Sequence, residues 1–321
     1  MIISRTPLRV SLVGGGTDMP SFYEKHPGAC LSFAINKYVY VALNDHFVNK
    51  YRISYSRTEN VESLDLIQHD LIRETLKFSR LQEGFEVVTV ADIPGNGTGL
   101  GSSSAMIVGL LKCLHRKFMG NDGELQWLAK TAFFIEAHKC HKPVGKQDHY
   151  ATALGGFNLY IFSDKEVRYT QAPFTVTLER HMLLLWTGIA RKSEDILTQQ
   201  KERFASGNTL GIGKELAVLA ETAFYDWVQY RDIQKLAEYI SYGWEIKKKL
   251  APWITNEWID DWYAKAMNNG AWGGKLCGAG GGGFLLFMAP PDTHDRIVKA
   301  TGLRKIDFKI ENEGSKIIYE A

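Results

Sequence analysis

The segment Ile93-Pro94-Gly95-Asn96-Gly97-Thr98-Gly99-Leu100-Gly101-Ser102-Ser103-Ser104-Ala105 has the composition of a loop that holds a polyanion. Four glycines in seven positions let backbone N–H groups approach a phosphate without Cβ interference, and three serines add hydroxyls able to bond oxygen or a metal ion. Residues 105–114 continue with apolar side chains at helical spacing, so the loop is expected to end at the N-terminus of a buried helix. Unpaired amides and the macrodipole favour negative charge there. The rhythm is neither common glycine loop: no lysine precedes Ser102, as the Walker pattern needs, and Gly97-Thr98-Gly99-Leu100-Gly101 lacks the spacing of the dinucleotide fingerprint. A plain connector could share this composition, and the helix that follows is what sets the loop apart.

Two carboxylates stand out next. A helix expected over 124–140 has Leu125, Leu128, Ala129 and Ala132 on its apolar face, and Glu136, eleven residues after Leu125, falls on the same face. An inward carboxylate needs either a buried partner such as an arginine or a metal, and periodicity leaves both open. Asp148 lies 12 positions further on, in the first turn of a glycine-bounded helix, where the dipole keeps it ionised. Near the N-terminus, Gly14-Gly15-Gly16 with Thr17-Asp18 reads as a substrate-facing turn or as a hairpin connection.

The elements that must position these groups follow from local pattern. Strands are expected over 2–13, bent at Pro7, and over 29–44, 51–56, 85–91, 157–162, 182–186 and 284–288. A helical stripe covers 65–80. After Trp186, a turn with Arg191 and Lys192 opens a helix, and cations there call for a nearby anion, either Glu194 and Asp195 or a substrate phosphate. Three amphipathic helices are expected over 213–230, 232–250 and 256–268, their tryptophans and tyrosines read as core and Lys247-Lys248-Lys249 as a solvated face. A further glycine run, Lys275 to Gly283, turns into the strand at 284–288. A helix near 293–300 and a closing hairpin of 307–310 with 315–319 complete the chain.

With 321 residues, 45% apolar and 23% charged, the chain has the size of two globular domains. A net charge of +2 with interleaved signs gives no reason to expect a nucleic-acid partner. Cys30, Cys113, Cys140 and Cys277 stand too far apart for a zinc site or a disulfide framework, and His138, His141 and His149 lack a ligand pattern. Neither a secretory signal nor an apolar run of membrane length is present, so a cytoplasmic protein without a membrane partner is expected.

At three places the residues resemble the GHMP kinases, named for galactokinase, homoserine, mevalonate and phosphomevalonate kinases. These are Pro7-Leu8-Arg9-Val10 running to Asp18, Pro94 with Gly99-Leu100-Gly101-Ser102-Ser103-Ser104-Ala105, and Lys275-Leu276-Cys277-Gly278-Ala279-Gly280-Gly281-Gly282-Gly283-Phe284. The resemblance implies an α+β fold of two domains: residues 1–170, of the ribosomal S5 type and carrying the ATP loop, and residues 171–321, ferredoxin-like. It implies ATP and Mg²⁺ as cofactors, with Pro94, Gly97, Gly99, Leu100, Gly101, Ser102, Ser103 and Ser104 at the nucleotide, and Ser103 and Glu136 at the metal. Asp148 then matches the catalytic aspartate, and Arg9 the cation that meets the transferring group.

For the acceptor, a small molecule, the resemblance points to Gly15, Gly16, Thr17, Asp18, Lys146, Arg191, Lys192, Gly280 and Gly281. Gly15 and Gly16 depart from galactokinase, which has a glutamate and a histidine there, and this counts against plain galactose. The Gly-Gly-Gly-Thr-Asp turn, Pro143 to Asp148, and Thr187-Gly188 with Arg191 and Ser193 are most similar to the family's bacterial D-glycero-D-manno-heptose 7-phosphate kinase branch, which phosphorylates an anomeric hydroxyl. Fucokinase-like or galactokinase-like activity, or a non-catalytic sugar sensor on the same fold, are the other readings.

Overall fold

The computed structural model describes residues 1–79, 84–94, 97–190 and 194–321. The first half runs β1 (Ile2–Val13), α1 (Pro20–Tyr23), β2 (Gly28–Asp45), β3 (Tyr51–Ser54), β4 (Thr58–Val61), α2 (Asp70–Phe78), β5 (Phe85–Ala91), α3 (Ser102–Met119), α4 (Leu125–Phe134), α5 (Gln147–Leu154), β6 (Phe157–Phe162) and β7 (Val167–Gln171). The second half runs α6 (Val176–Arg180), β8 (Met182–Trp186), α7 (Glu194–Ala205), α8 (Leu210–Tyr230), α9 (Ile233–Lys247), α10 (Glu257–Asn268), β9 (Gly273–Leu276), β10 (Phe284–Met288), α11 (His294–Thr301), β11 (Arg304–Ile306) and β12 (Lys316–Glu320).

The first sheet is ordered β12-β1-β2-β5-β3-β4, with β6 on the other half of β2 and β7 on β6. The 18-residue β2 is long enough to serve two neighbours on one edge: Val39–Asp45 pairs β5 and Gly28–Phe33 pairs β6. Pro7 sits at a register shift between β1 and β2, beyond the residues that pair β12, so its missing N–H breaks no ladder there. The C-terminal half of β1 is buried at every position because α3 and α5 pack on it, and so do α8 and α9.

The second sheet is antiparallel, in the order β11-β8-β10-β9. With α7 to α10 between its first and second strands and α11 between its third and fourth, this is the split βαβ pattern of a ferredoxin-like unit. The two parts meet where the two glycine loops touch. A Cβ on Gly99 would stand 2.6 Å from the Cys277 carbonyl oxygen, and Gly278 lies against Gly99 in turn. Both glycines have positive φ, +73° and +74°, so lack of a side chain serves conformation and close approach at once.

Some sequence expectations need correction. The closing hairpin does not form: β12 crosses to pair antiparallel with β1, and Ile310 makes only an isolated bridge with Ile35. The aromatics of the three amphipathic helices divide, with Trp227 and Trp244 buried but Tyr225, Tyr230, Tyr242 and Trp258 exposed, because the helices pack on one side only. Lys247 does not belong to a solvated face. It is 5% exposed, while Lys249 faces solvent. Among the described residues no helix is long and apolar enough to cross a membrane.

Candidate active site

Helix α3 starts at Gly101, whose left-handed φ of 79° turns the chain into the helix without a side-chain cap. Its first amides are therefore open to a ligand. Ser102, Ser103 and Ser104 line a cavity with Arg9, Asp18, Glu136 and Asp148. A second cavity, of about 600 Å³, runs from Val39, His69 and Thr89 past Pro94 to the same Ser102 and Ser103. Two cavities thus share one helix N-terminus.

Arg9 comes from the buried part of β1 and Asp148 from the first turn of α5. The guanidinium donates to both carboxylate oxygens, Nε to Oδ1 at 2.8 Å and Nη2 to Oδ2 at 2.6 Å. Its remaining nitrogen donates to the Gly99 carbonyl at 2.6 Å, and the Arg9 amide donates to the Leu100 carbonyl at 3.0 Å. The carboxylate is thereby oriented relative to the glycine loop. Asp18, on the turn after β1, accepts from the amides of Gly16 (2.9 Å) and Gln147 (3.0 Å). Burial, and then the negative charge of Asp148, push its pKa upward.

Glu136 is buried, as its periodicity required, and lies on a π turn, Ile135–Lys139, that widens the end of α4. Such turns often mark functional sites. Its partner is a histidine and not an arginine: His149 Nε2 lies 2.8 Å from Oε2, and the Ser104 hydroxyl donates to the same oxygen at 3.4 Å. Pattern reasoning weighs His149 only as a metal ligand, with His138 and His141, and sets it aside. Its position one residue after Asp148, in a helix start whose residues line the cavity together, is the available signal.

Of the residues expected at the site, Gly97, Gly99, Gly101, Ser102, Ser103, Ser104, Gly15, Gly16, Asp18, Gly280, Glu136, Arg9 and Asp148 line the first cavity. Pro94 lines only the second. The side chain of Leu100 belongs to the core. The Thr17 hydroxyl is occupied by the carbonyls of Gly14 and Ala29, at 2.8 and 2.9 Å, so it braces the turn and has no free face. Lys146 turns away: its ammonium donates to the Ser163 carbonyl at 2.9 Å and sits 4.0 Å above the Tyr23 ring. The Gly281 amide is bonded to the Ile254 carbonyl at 2.9 Å, outside the cavity lining. Arg191 and Lys192 lie outside the described residues. The cavity also receives Lys247, Gln147 and Gln200, which local patterns did not single out.

A helix start shared by two cavities, with a tethered carboxylate beside it, is the architecture of a phosphotransferase that passes a phosphoryl group from one bound molecule to another. The chain belongs to the GHMP kinase family, whose N-terminal domain matches residues 66–156 and whose C-terminal domain matches residues 220–301. It is therefore an ATP-dependent kinase with the two-domain α+β fold of that family. The D-glycero-alpha-D-manno-heptose 7-phosphate kinase of Campylobacter jejuni is 30% identical, over 98% of each chain. The galactokinase of Pyrococcus furiosus is 24% identical over 91% of this chain and 90% of that one. In fold, the crystal structure of a D-glycero-D-manno-heptose 1-phosphate kinase from Bacteriodes thetaiotaomicron superimposes over 100% of both chains, with a TM-score of 0.80 at 22% identity. The galactokinase of Lactococcus lactis complexed with galactose covers 98% of this chain and 94% of its own, with a TM-score of 0.76 at 15% identity.

Proposed function

We propose that this kinase transfers the γ-phosphoryl group of ATP to the anomeric hydroxyl of a sugar phosphate, D-glycero-D-manno-heptose 7-phosphate foremost. The product would be the 1,7-bisphosphate used toward nucleotide-activated heptose and surface polysaccharide. The observation that carries the reading is the bidentate Arg9–Asp148 pair tied to the glycine loop, which fixes a carboxylate in the cavity that shares Ser102 and Ser103 with the second. Similarity to the Campylobacter jejuni enzyme supports the choice of acceptor.

In this reading ATP occupies the second cavity, its phosphates on the open amides of α3, and the sugar occupies the first. Asp148 accepts the proton of the attacking hydroxyl. Arg9 holds that carboxylate in place and presents positive charge to the transferring group. Asp18 accepts hydrogen bonds from sugar hydroxyls. Phosphoryl transfer needs mainly such positioning and charge stabilisation.

The residues present also fit Mg²⁺. The Ser102 hydroxyl is buried without a partner, Ser103 faces both cavities, and Glu136 adds a carboxylate to the first. Hard oxygen donors with one carboxylate suit an ion that completes its shell with water and substrate phosphates. Bound by Ser103 and Glu136, Mg²⁺ would neutralise charge on the transferring phosphates.

A galactokinase-like or fucokinase-like acceptor is the second reading, favoured by the galactokinase relatives. A non-catalytic sensor needs neither Asp148 nor Glu136. The test is ADP release with Mg-ATP across sugars with and without a terminal phosphate, with Asp148→Asn as the blank. Turnover of heptose 7-phosphate at the highest kcat/KM supports the proposal, and preference for an unphosphorylated sugar rejects it.

A further inference from the structure

Two lysines are buried beside the Gly15–Gly16 turn, and among the described residues neither forms an ion pair with a carboxylate. Lys247 Nζ donates to the Gly278 carbonyl at 2.6 Å. Lys275 Nζ donates to the carbonyl and hydroxyl of Ser11, at 2.8 and 3.2 Å. An ammonium has three N–H donors, so Lys247 has two in reserve. Burying such charges without a counter-ion is costly, and here the two like charges also act on each other. Asp18 attracts Lys247 only from beyond ion-pair distance, and its oxygens already accept from two backbone amides.

Neutral polar side chains surround the same place. The carboxamide nitrogens of Gln147 and Gln200 are buried and donate to nothing, although the residues are only 3% and 1% exposed and line the cavity. Gln147 Oε1 accepts from the Cys30 thiol at 2.9 Å. The space a Cβ on Gly15 would fill has Gln147 Oε1 at 3.4 Å, Lys247 Nζ at 3.5 Å and Ser11 Oγ at 3.5 Å around it. Beside Gly16 the Gln200 carboxamide oxygen Oε1 stands at 3.3 Å, and a half-turn of the carboxamide exchanges it for the unpartnered Nε2. None of these side chains lines the cavity assigned to ATP.

We propose that Lys247, with the carboxamide of Gln200, is the receptor for a phosphate ester carried by the acceptor, whose charge is the missing counter-ion. A phosphate ester offers three acceptor oxygens and up to two negative charges, which matches two spare ammonium donors and one unused amide better than a neutral hydroxyl does. The proposal rests on the reading of the first cavity as the acceptor site.

The experiment is steady-state kinetics of wild type, Lys247→Met and Gln200→Leu with ATP and two acceptors, a sugar phosphate that wild type turns over and the same sugar without its phosphate. A charge-assisted hydrogen bond lost from bound substrate corresponds to a rise of about tenfold to a hundredfold in KM. Lys247→Met is expected to raise KM for the sugar phosphate on that scale and to change KM for ATP and kcat/KM for the free sugar by less than about threefold. Gln200→Leu should act in the same direction by less. Inorganic phosphate should inhibit wild type competitively against the sugar phosphate, which supports the site even if Lys247→Met does not fold. Equal losses on both sugars, a fall in kcat for both at unchanged KM, or no competition by inorganic phosphate would overturn it. Failure of wild type to use any sugar phosphate would instead reject the assigned acceptor, and Lys247 would lose its ligand with it.

Discussion

Arg9 and Asp148, 139 residues apart in the chain, meet in two parallel hydrogen bonds of 2.8 and 2.6 Å, and the same guanidinium grips the Gly99 carbonyl. One planar group thus connects the Asp148 carboxylate to the glycine loop that opens α3. A lysine cannot reproduce that fork, because its ammonium is a point charge on a flexible stem. Arg9→Lys is therefore expected to lower kcat by about tenfold to a hundredfold, the loss of one or two charge-assisted bonds. KM for ATP should move by less than about threefold. An unchanged kcat would show that Asp148 does not depend on Arg9 for its position.

Replacing Asp148 itself removes the proposed proton acceptor. Asp148→Asn should cost about 10² to 10⁴ in kcat, the usual range for general base catalysis, while ATP binding measured by calorimetry is retained. Near full turnover would take Asp148 out of the mechanism.

His149 holds Glu136 from a position without solvent exposure. His149→Phe leaves the carboxylate buried beside a ring that donates nothing, and is expected to lower stability by about 1–3 kcal/mol in denaturant unfolding. The Mg²⁺ concentration for half-maximal rate should rise as well, if Glu136 holds the ion as proposed, because nothing then fixes the position of its carboxylate. Destabilisation without a change in Mg²⁺ dependence would assign the pair to the core alone.

Gly278 and Gly99 test the contact between the two glycine loops. Gly278→Ala adds a Cβ that would meet the Gly99 backbone well inside contact distance, at a residue with φ +74°. Left-handed backbone alone costs an L-residue about 1–2 kcal/mol. Thermal unfolding should shift downward and kcat/KM for ATP should fall, while unchanged kinetics would show that the loops work independently.

Burial, and next the charge of Lys247, lower the pKa of Lys275 to about 7; Arg9 acts in the same direction, and Cys277 and Cys30 oppose it. A lysine in the unfolded chain titrates near 10.4. Between about pH 7 and the unfolded value, the unfolded state therefore binds more protons at this site than the folded one, and its contribution to stability rises with pH. Below about pH 7 both states are protonated and the cost of the buried charge is fully present. Unfolding free energy of the ligand-free protein should increase from pH 7 to pH 9 relative to Lys275→Met, which lacks the titrating group. Parallel profiles for the two proteins would show that Lys275 does not titrate in that window.

Much of this molecule is legible along the chain. Strands β5, β6, β8 and β10 occupy the residues expected of them, because a short apolar run bounded by turn residues carries its own signal. The glycine loop, the helix it opens, the inward Glu136 and the early-turn Asp148 are legible for the same reason: each depends on spacing within a few turns. What lies opposite a residue is not written in its neighbourhood. The pairing of β12 with β1, the burial of Lys247 from a run of three lysines, the meeting of His149 with Glu136 and the turn of Lys146 toward Tyr23 were decided by packing between distant elements. Periodicity reports which face of an element is apolar. Only the assembled fold determines whether a charged group on that element meets solvent, a partner or an empty cavity, because the cost of burying it depends on the atoms that surround it in space.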